Sequence, residues 1–208
     1  MIKSFKLITA AVVLLICGFS TSVDMAQQPA PPKIRVIDYH GDFTNLMAAL
    51  PNAFGVTVGL ELDAQARQSV RVSLLDPTLP DVMNAIVQSS KKYTWRETNG
   101  LVEVWPTTGS NPLLETRISS FNAKDVSPSE AFDQLVNLPE VQAAIKSMNL
   151  KRRAPDVPMK TTYNNFSVNL EGVSLRQALN KIASDSGIQI WVLRSYPNGD
   201  FSIGTVDR

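Results

Sequence analysis

The sequence predicts an α+β chain built as two tandem βαβ-βαββ modules, each a small mixed sheet with two helices packed on it. Three observations carry this reading. Residues 166–191 read as strand, helix, strand: Phe166, Val168 and Leu170 alternate with polar residues, while Leu175, Ala178, Leu179 and Ile182 fall on one helical face. The same unit occurs about 96 residues earlier, without a gap. Val168, Leu170, Leu175, Leu179, Asn180, Ile182 and Trp191 map onto Val72, Leu74, Leu79, Met83, Asn84, Ile86 and Trp95. Finally, Asn99-Gly100 separates two strand-like runs, and both residues tolerate the positive φ that a tight hairpin needs.

The repeat sets the domain plan: a leader over 1–26, a linker over 27–32, a first copy over 33–106, a second linker over 107–113 and a second copy over 114–208. Lys3 and Lys6 precede the apolar run Leu7–Phe19, which is short for a membrane span, and small residues follow at Ser20, Ser22 and Ala26. That is the plan of a secretory signal peptide, so the chain is expected in the periplasm or secreted, with no membrane span after cleavage. The only cysteine, Cys17, lies inside the apolar run behind Ile16, which argues against lipidation and leaves the mature chain without a disulfide. Export without disulfides points to a bacterial envelope protein stabilised by its core. A net charge of +1 implies no general attraction to nucleic acid.

In the first copy, Lys33–Tyr39 reads as a strand. Asp42 caps a helix expected over Phe43–Phe54, with Phe43, Leu46, Met47 and Leu50 on one face and Pro51 breaking its last turn. Strands follow at Val56–Leu62 and Val70–Leu75. Thr78 then caps a helix over Leu79–Ser89, and the hairpin strands are Lys92–Thr98 and Leu101–Trp105. In the second copy a strand is expected over Leu114–Phe121. Ser127-Pro128-Ser129-Glu130 has the residues of a capped helix start. Val141, Ile145 and Met148 suggest further helix, Lys151–Pro158 a loop and Met159–Tyr163 a strand. Ser174 with Gln177 forms a capping box, Gly187 ends the helix, and Ile188–Arg194 and Asp200–Thr205 close the copy. The two copies, joined by Pro106–Pro112, are expected to fold as separate units.

Each copy resembles the secretin and TonB short N-terminal (STN) domain. The resemblance lies in Val72-Ser73-Leu74, Thr78–Met83, Tyr93-Thr94-Trp95 and Asn99–Val102. In the second copy it lies in Val168–Leu175, Leu179 and Gly187–Trp191. It covers nearly all of the mature chain, through packing positions rather than chemical groups. It implies a periplasmic module that makes protein–protein contacts, with an outer-membrane secretin or transporter component as the kind of partner expected. In that family the module usually precedes an outer-membrane pore or transporter; no such sequence follows Arg208 here, a departure expected to bear on the signalling or docking role and not on the fold.

The residues offer little chemistry. His40 is the only histidine, with Asp42 two positions on, but no cysteine or serine stands in a nucleophile motif. No catalytic residue, metal site or cofactor is expected: one histidine without cysteines makes no ordinary zinc site, and no glycine loop cradles phosphate. The partner-binding candidates are Lys151, Arg152 and Arg153, three adjacent cations that must face water or an anionic surface. The expectation is thus a non-enzymatic protein-binding module that completes sheet edges with a partner strand. Two alternatives stand beside it. One is a binder of a small ligand or cell-wall glycan, with Trp95 and Trp191 as a stacking pair. The other is an enzyme gathering His40 and carboxylates in an inter-domain cleft.

Overall fold

A computed structural model describes residues 36–63, 68–154 and 163–206. The leader, the linker over 27–32, the first residues of the opening strand and residues 159–162 of the strand expected before Phe166 lie outside the described residues. The chain is α+β. Its first copy runs β1 (Val36–Asp42), α1 (Phe43–Met47), α2 (Leu50–Phe54), β2 (Thr57–Asp63), β3 (Ser69–Leu75), α3 (Leu79–Ser90), β4 (Tyr93–Thr98) and β5 (Leu101–Pro106). A 3-10 helix over Pro112–Glu115 leads into the second copy. This runs β6 (Arg117–Val126), α4 (Pro128–Val136), α5 (Pro139–Ser147), β7 (Lys151–Arg152), β8 (Phe166–Ser174), α6 (Leu175–Ser186), β9 (Ile190–Ser195) and β10 (Asp200–Thr205).

Capping chemistry fixes three helix starts where the sequence placed them. Thr78 and Asp81, Ser127 and Glu130, and Ser174 and Gln177 each form a reciprocal box. In each, the third residue of the helix accepts the backbone N–H of its cap at 2.9 Å. Bonds from the Thr78 hydroxyl and N–H hold the Asp81 carboxyl below its ordinary value of 3.8, and bonds from the Ser127 N–H and hydroxyl hold that of Glu130 below 4.5. A carboxyl with a lowered folded value binds fewer protons folded than unfolded. Its contribution is complete above the ordinary value and is lost as pH falls through the lowered one. Melts taken from about pH 6 to about pH 2 should therefore show an acid limb. Asp81→Asn and Glu130→Gln, which keep the caps but cannot titrate, should flatten it.

Three local expectations need correction. The single helix over Phe43–Phe54 is two helices: Pro51 has no N–H to donate back to residue 47, so the ladder breaks at 48–49 and Pro51 instead serves in the first turn of α2. Phe43, Leu46, Met47 and Leu50 are nevertheless all buried. Leu114 does not open a strand. The Asn111 side chain accepts the Leu113 N–H at 2.9 Å, Pro112 sets the next φ, and the resulting 3-10 turn buries Leu113 and Leu114 completely. Nor are Lys151 and Arg152 in a loop, since they pair in parallel with Asp200 and Phe201.

The two copies share one topology. β1 pairs antiparallel with β3, as β6 does with β8; β5 lies between β4 and β2, as β10 lies between β9 and β7, with the same strand senses. The copies are not separate, however. β2 pairs in parallel with β9, from Val58 opposite Ile190 to Asp63 opposite Ser195. The result is one six-stranded sheet, ordered β4-β5-β2-β9-β10-β7. Side chains alternate across β9. Ile190 and Val192 join the core built on α1–α3, whereas Trp191 and Leu193 join the core built on α4–α6. The two sets of helices therefore cover opposite faces of a common sheet. This revises the expectation of separate folding units: the first core is completed by residues of the second copy.

Candidate functional site

The features that could carry function are the seam between the copies, the basic run and the outer strands of the sheet. At the seam the backbones approach closely because residue 59 is glycine. A Cβ there would lie 2.7 Å from the nearest atom of the Trp191 indole ring, closer than real Cβ contacts allow. Trp191 is 0 % exposed, and its indole N–H donates to Asn180 on α6 at 2.7 Å. The first copy repeats this pair: the Trp95 indole donates to Asn84 on α3 at 3.1 Å. Trp191 is thus a core residue and not half of an exposed stacking pair, while Trp95 is only partly buried. Trp105 is also partly buried, beneath the guanidinium of Arg96.

Beside Trp191 lies a buried ionic cluster. Arg176 on α6 is 6 % exposed and Glu61 on β2 is 2 % exposed. The guanidinium donates to Glu61 at 2.7 Å, to Glu115 at 3.0 Å and to the Ser110 hydroxyl, and it lies 3.8 Å from Glu103 on β5. Burial opposes its charge, but Glu61, the hydrogen bonds to Glu61 and Glu115, and the charge of Glu103 outweigh burial and raise its pKa. Glu61 also accepts from the Asn111 backbone N–H at 2.7 Å. Glu103 accepts from Asn180 at 3.0 Å and from Arg96 at 2.5 Å. The cluster ties α6, β2, β5 and the connection over 107–113 together, and its carboxylates spend their lone pairs on these internal donors.

Sequence reasoning missed this cluster. Glu61 and Glu103 alternate with apolar residues, the pattern of a strand with one face in water, and Arg176 flanks the apolar stripe of α6. The available signal was an arginine in the first turn of a helix otherwise packed on a sheet. A cleft of about 370 Å³ opens next to it, lined by Asp63, Thr108, Ser110, Asn111, Ser195 and Tyr196 among others. His40 does not reach the lining. It is exposed on β1 opposite Arg71, and the Asp42 side chain beside it is engaged in accepting the N–H groups of Thr44 and Asn45 at the start of α1. Among the described residues, no three of His, Cys, Asp and Glu gather as a metal site.

The basic run stands on and just beyond the end strand β7. Arg152 is ion-paired with Asp133 on α4 at 2.5 Å. Arg153 lies 4.4 Å above the Tyr196 ring, and its backbone N–H donates to Phe201. Lys151 is exposed. Two of the three cations therefore brace this edge from within, which tells against a shared role as one anion-binding patch. At the other end of the sheet stands β4. Its hairpin with β5 turns on Asn99 and Gly100, with φ of 52° and 77°. No described strand lies beyond it. No described helix is long and apolar enough to cross a membrane. Set against protein-family models, curated proteins and solved structures, the chain matches none of them.

Proposed function

We propose that the protein is a non-enzymatic binding or adaptor module of the bacterial cell envelope that recognises a partner protein by adding strand to sheet. One observation carries this reading: the chain's own two copies associate in this way, β2 on β9, within a sheet that ends in the six-residue strand β4. An open strand presents a row of backbone donors and acceptors that a partner strand completes. The leader-like N-terminus and the resemblance of each copy to STN domains support the envelope setting and the protein partner, with a secretin or transporter component as the kind of partner expected. The buried seam supports a rigid platform over a catalytic cleft, because its carboxylates are engaged by internal donors.

Site-specific photo-crosslinking in the native cells tests the reading. A crosslinker at Glu97 on β4 or at Lys151 on β7 should give a discrete protein adduct, and one at Gln88, exposed on α3, should not. Absence of an adduct from both sheet ends, or equal labelling from Gln88, would contradict it.

A further inference from the structure

We infer that the outer edge of β4 takes a strand of a partner protein that runs parallel to β4 and places a glycine opposite Trp95. The inference rests on the binding mode proposed above and adds the edge, the direction and a sequence rule.

β4 and β9 are equivalent strands, each with its tryptophan bonded to the equivalent asparagine on the helix of its own copy, Asn84 on α3 and Asn180 on α6. In β9 the outer edge is occupied: β2 lies along it in parallel, with Gly59 opposite Trp191. That strand covers the flank of the Trp191 ring and leaves it 0 % exposed. Trp95 occupies the same place at an edge that no described strand covers, and it is only partly buried. In the other copy Gly59 packs against the indole from across that edge. A Cβ at Gly59 would come within 2.7, 2.8 and 2.9 Å of three indole atoms, so the same packing over Trp95 admits glycine and rejects larger residues.

The backbone agrees. The Lys92 carbonyl accepts from Thr107 at 2.8 Å, so Lys92 faces β5. Alternation along an antiparallel ladder then directs the N–H and C=O groups of Tyr93, Trp95 and Glu97 away from β5. In the occupied edge the Gln189 carbonyl, equivalent to that of Tyr93, accepts the Val58 N–H at 2.8 Å. Residues flanking the partner's glycine would project to the opposite face, beside Thr94 and Arg96, and can be polar. A second copy of this chain does not offer β2 for the purpose, because β5 and β9 take both of its edges.

The probe is a synthetic peptide with the sequence of residues 56–63, followed by amide and indole NMR of the whole chain. The peptide should shift the Trp95 indole N–H and the amides of Tyr93, Trp95 and Glu97 saturably, and leave the Trp191 indole unmoved. The same peptide with valine in place of its glycine should bind at least about tenfold more weakly, the ratio that overpacking a filled contact produces. Equal binding of both peptides would overturn the glycine rule and leave strand addition standing. Shifts confined to β3 or β8 would overturn the assignment to β4 while sparing the protein-binding reading. No response anywhere would overturn the inference, and the crosslinking result would then judge the broader reading by itself. Amide protection of β4 in the free chain that is lost on deleting residues 1–35 would assign the edge to the chain's own N-terminal segment, and would also overturn it.

Discussion

Arg176→Ala should destabilise the chain by about 3–5 kcal/mol, the usual result of removing one partner from a buried ion pair. The loss does not measure an attraction. It arises because Glu61, 2 % exposed, is left buried without the guanidinium that compensated it, while Glu103 keeps its pairing with Arg96. The accompanying bonds to Ser110 and Glu115 go as well. A companion variant separates the causes. Arg176→Met with Glu61→Gln removes both charges, preserves most of the volume, and keeps an oxygen to accept the Asn111 N–H. It should recover part of the loss in urea melts. A loss below about 1 kcal/mol for Arg176→Ala would be the behaviour of a solvated surface pair and would contradict the cluster as described.

Leu179→Ala and Met83→Ala should each cost about 2–5 kcal/mol, the range for truncating buried aliphatic side chains. Both side chains are 0 % exposed, on equivalent positions of α6 and α3. The two losses should fall on the same transition. Ile190 and Val192 of the second copy fill the first core, and the Arg176 cluster reaches from α6 to β2 and β5. Loss of packing in either copy therefore weakens the sheet that both share.

Much of the fold is legible in the sequence because local chemistry fixes it. Thr78, Ser127 and Ser174 cap helices by bonds to residues three positions on, and Asn99-Gly100 closes its hairpin from its own φ preferences. The repeat was legible for a related reason, since a Trp–Asn pair eleven positions apart is a helix-to-strand bond within one copy. The seam was not legible. Pairing of β2 with β9 joins residues more than a hundred positions apart, and no local propensity records it. Glu61 and Glu103 then mislead, because strict alternation signals a water-facing side unless another layer covers it, and here α6 does. The clue that could have exposed the seam was Gly59, a glycine in the middle of a strand, which marks a close approach by something outside that strand. The sites followed the same division. The basic run was conspicuous in sequence, but Arg152 and Arg153 contact Asp133 and Tyr196 within the chain, whereas the partial exposure of Trp95 gains meaning only beside its buried counterpart Trp191.

The two copies form one continuous sheet across the β2–β9 seam, so they should melt together in scanning calorimetry of the chain. Wild type, Met83→Ala and Leu179→Ala should each give a single transition. Both variants should lower its midpoint, and the calorimetric and van't Hoff enthalpies should agree. Two resolved transitions, one lowered only by Met83→Ala and the other only by Leu179→Ala, would contradict it.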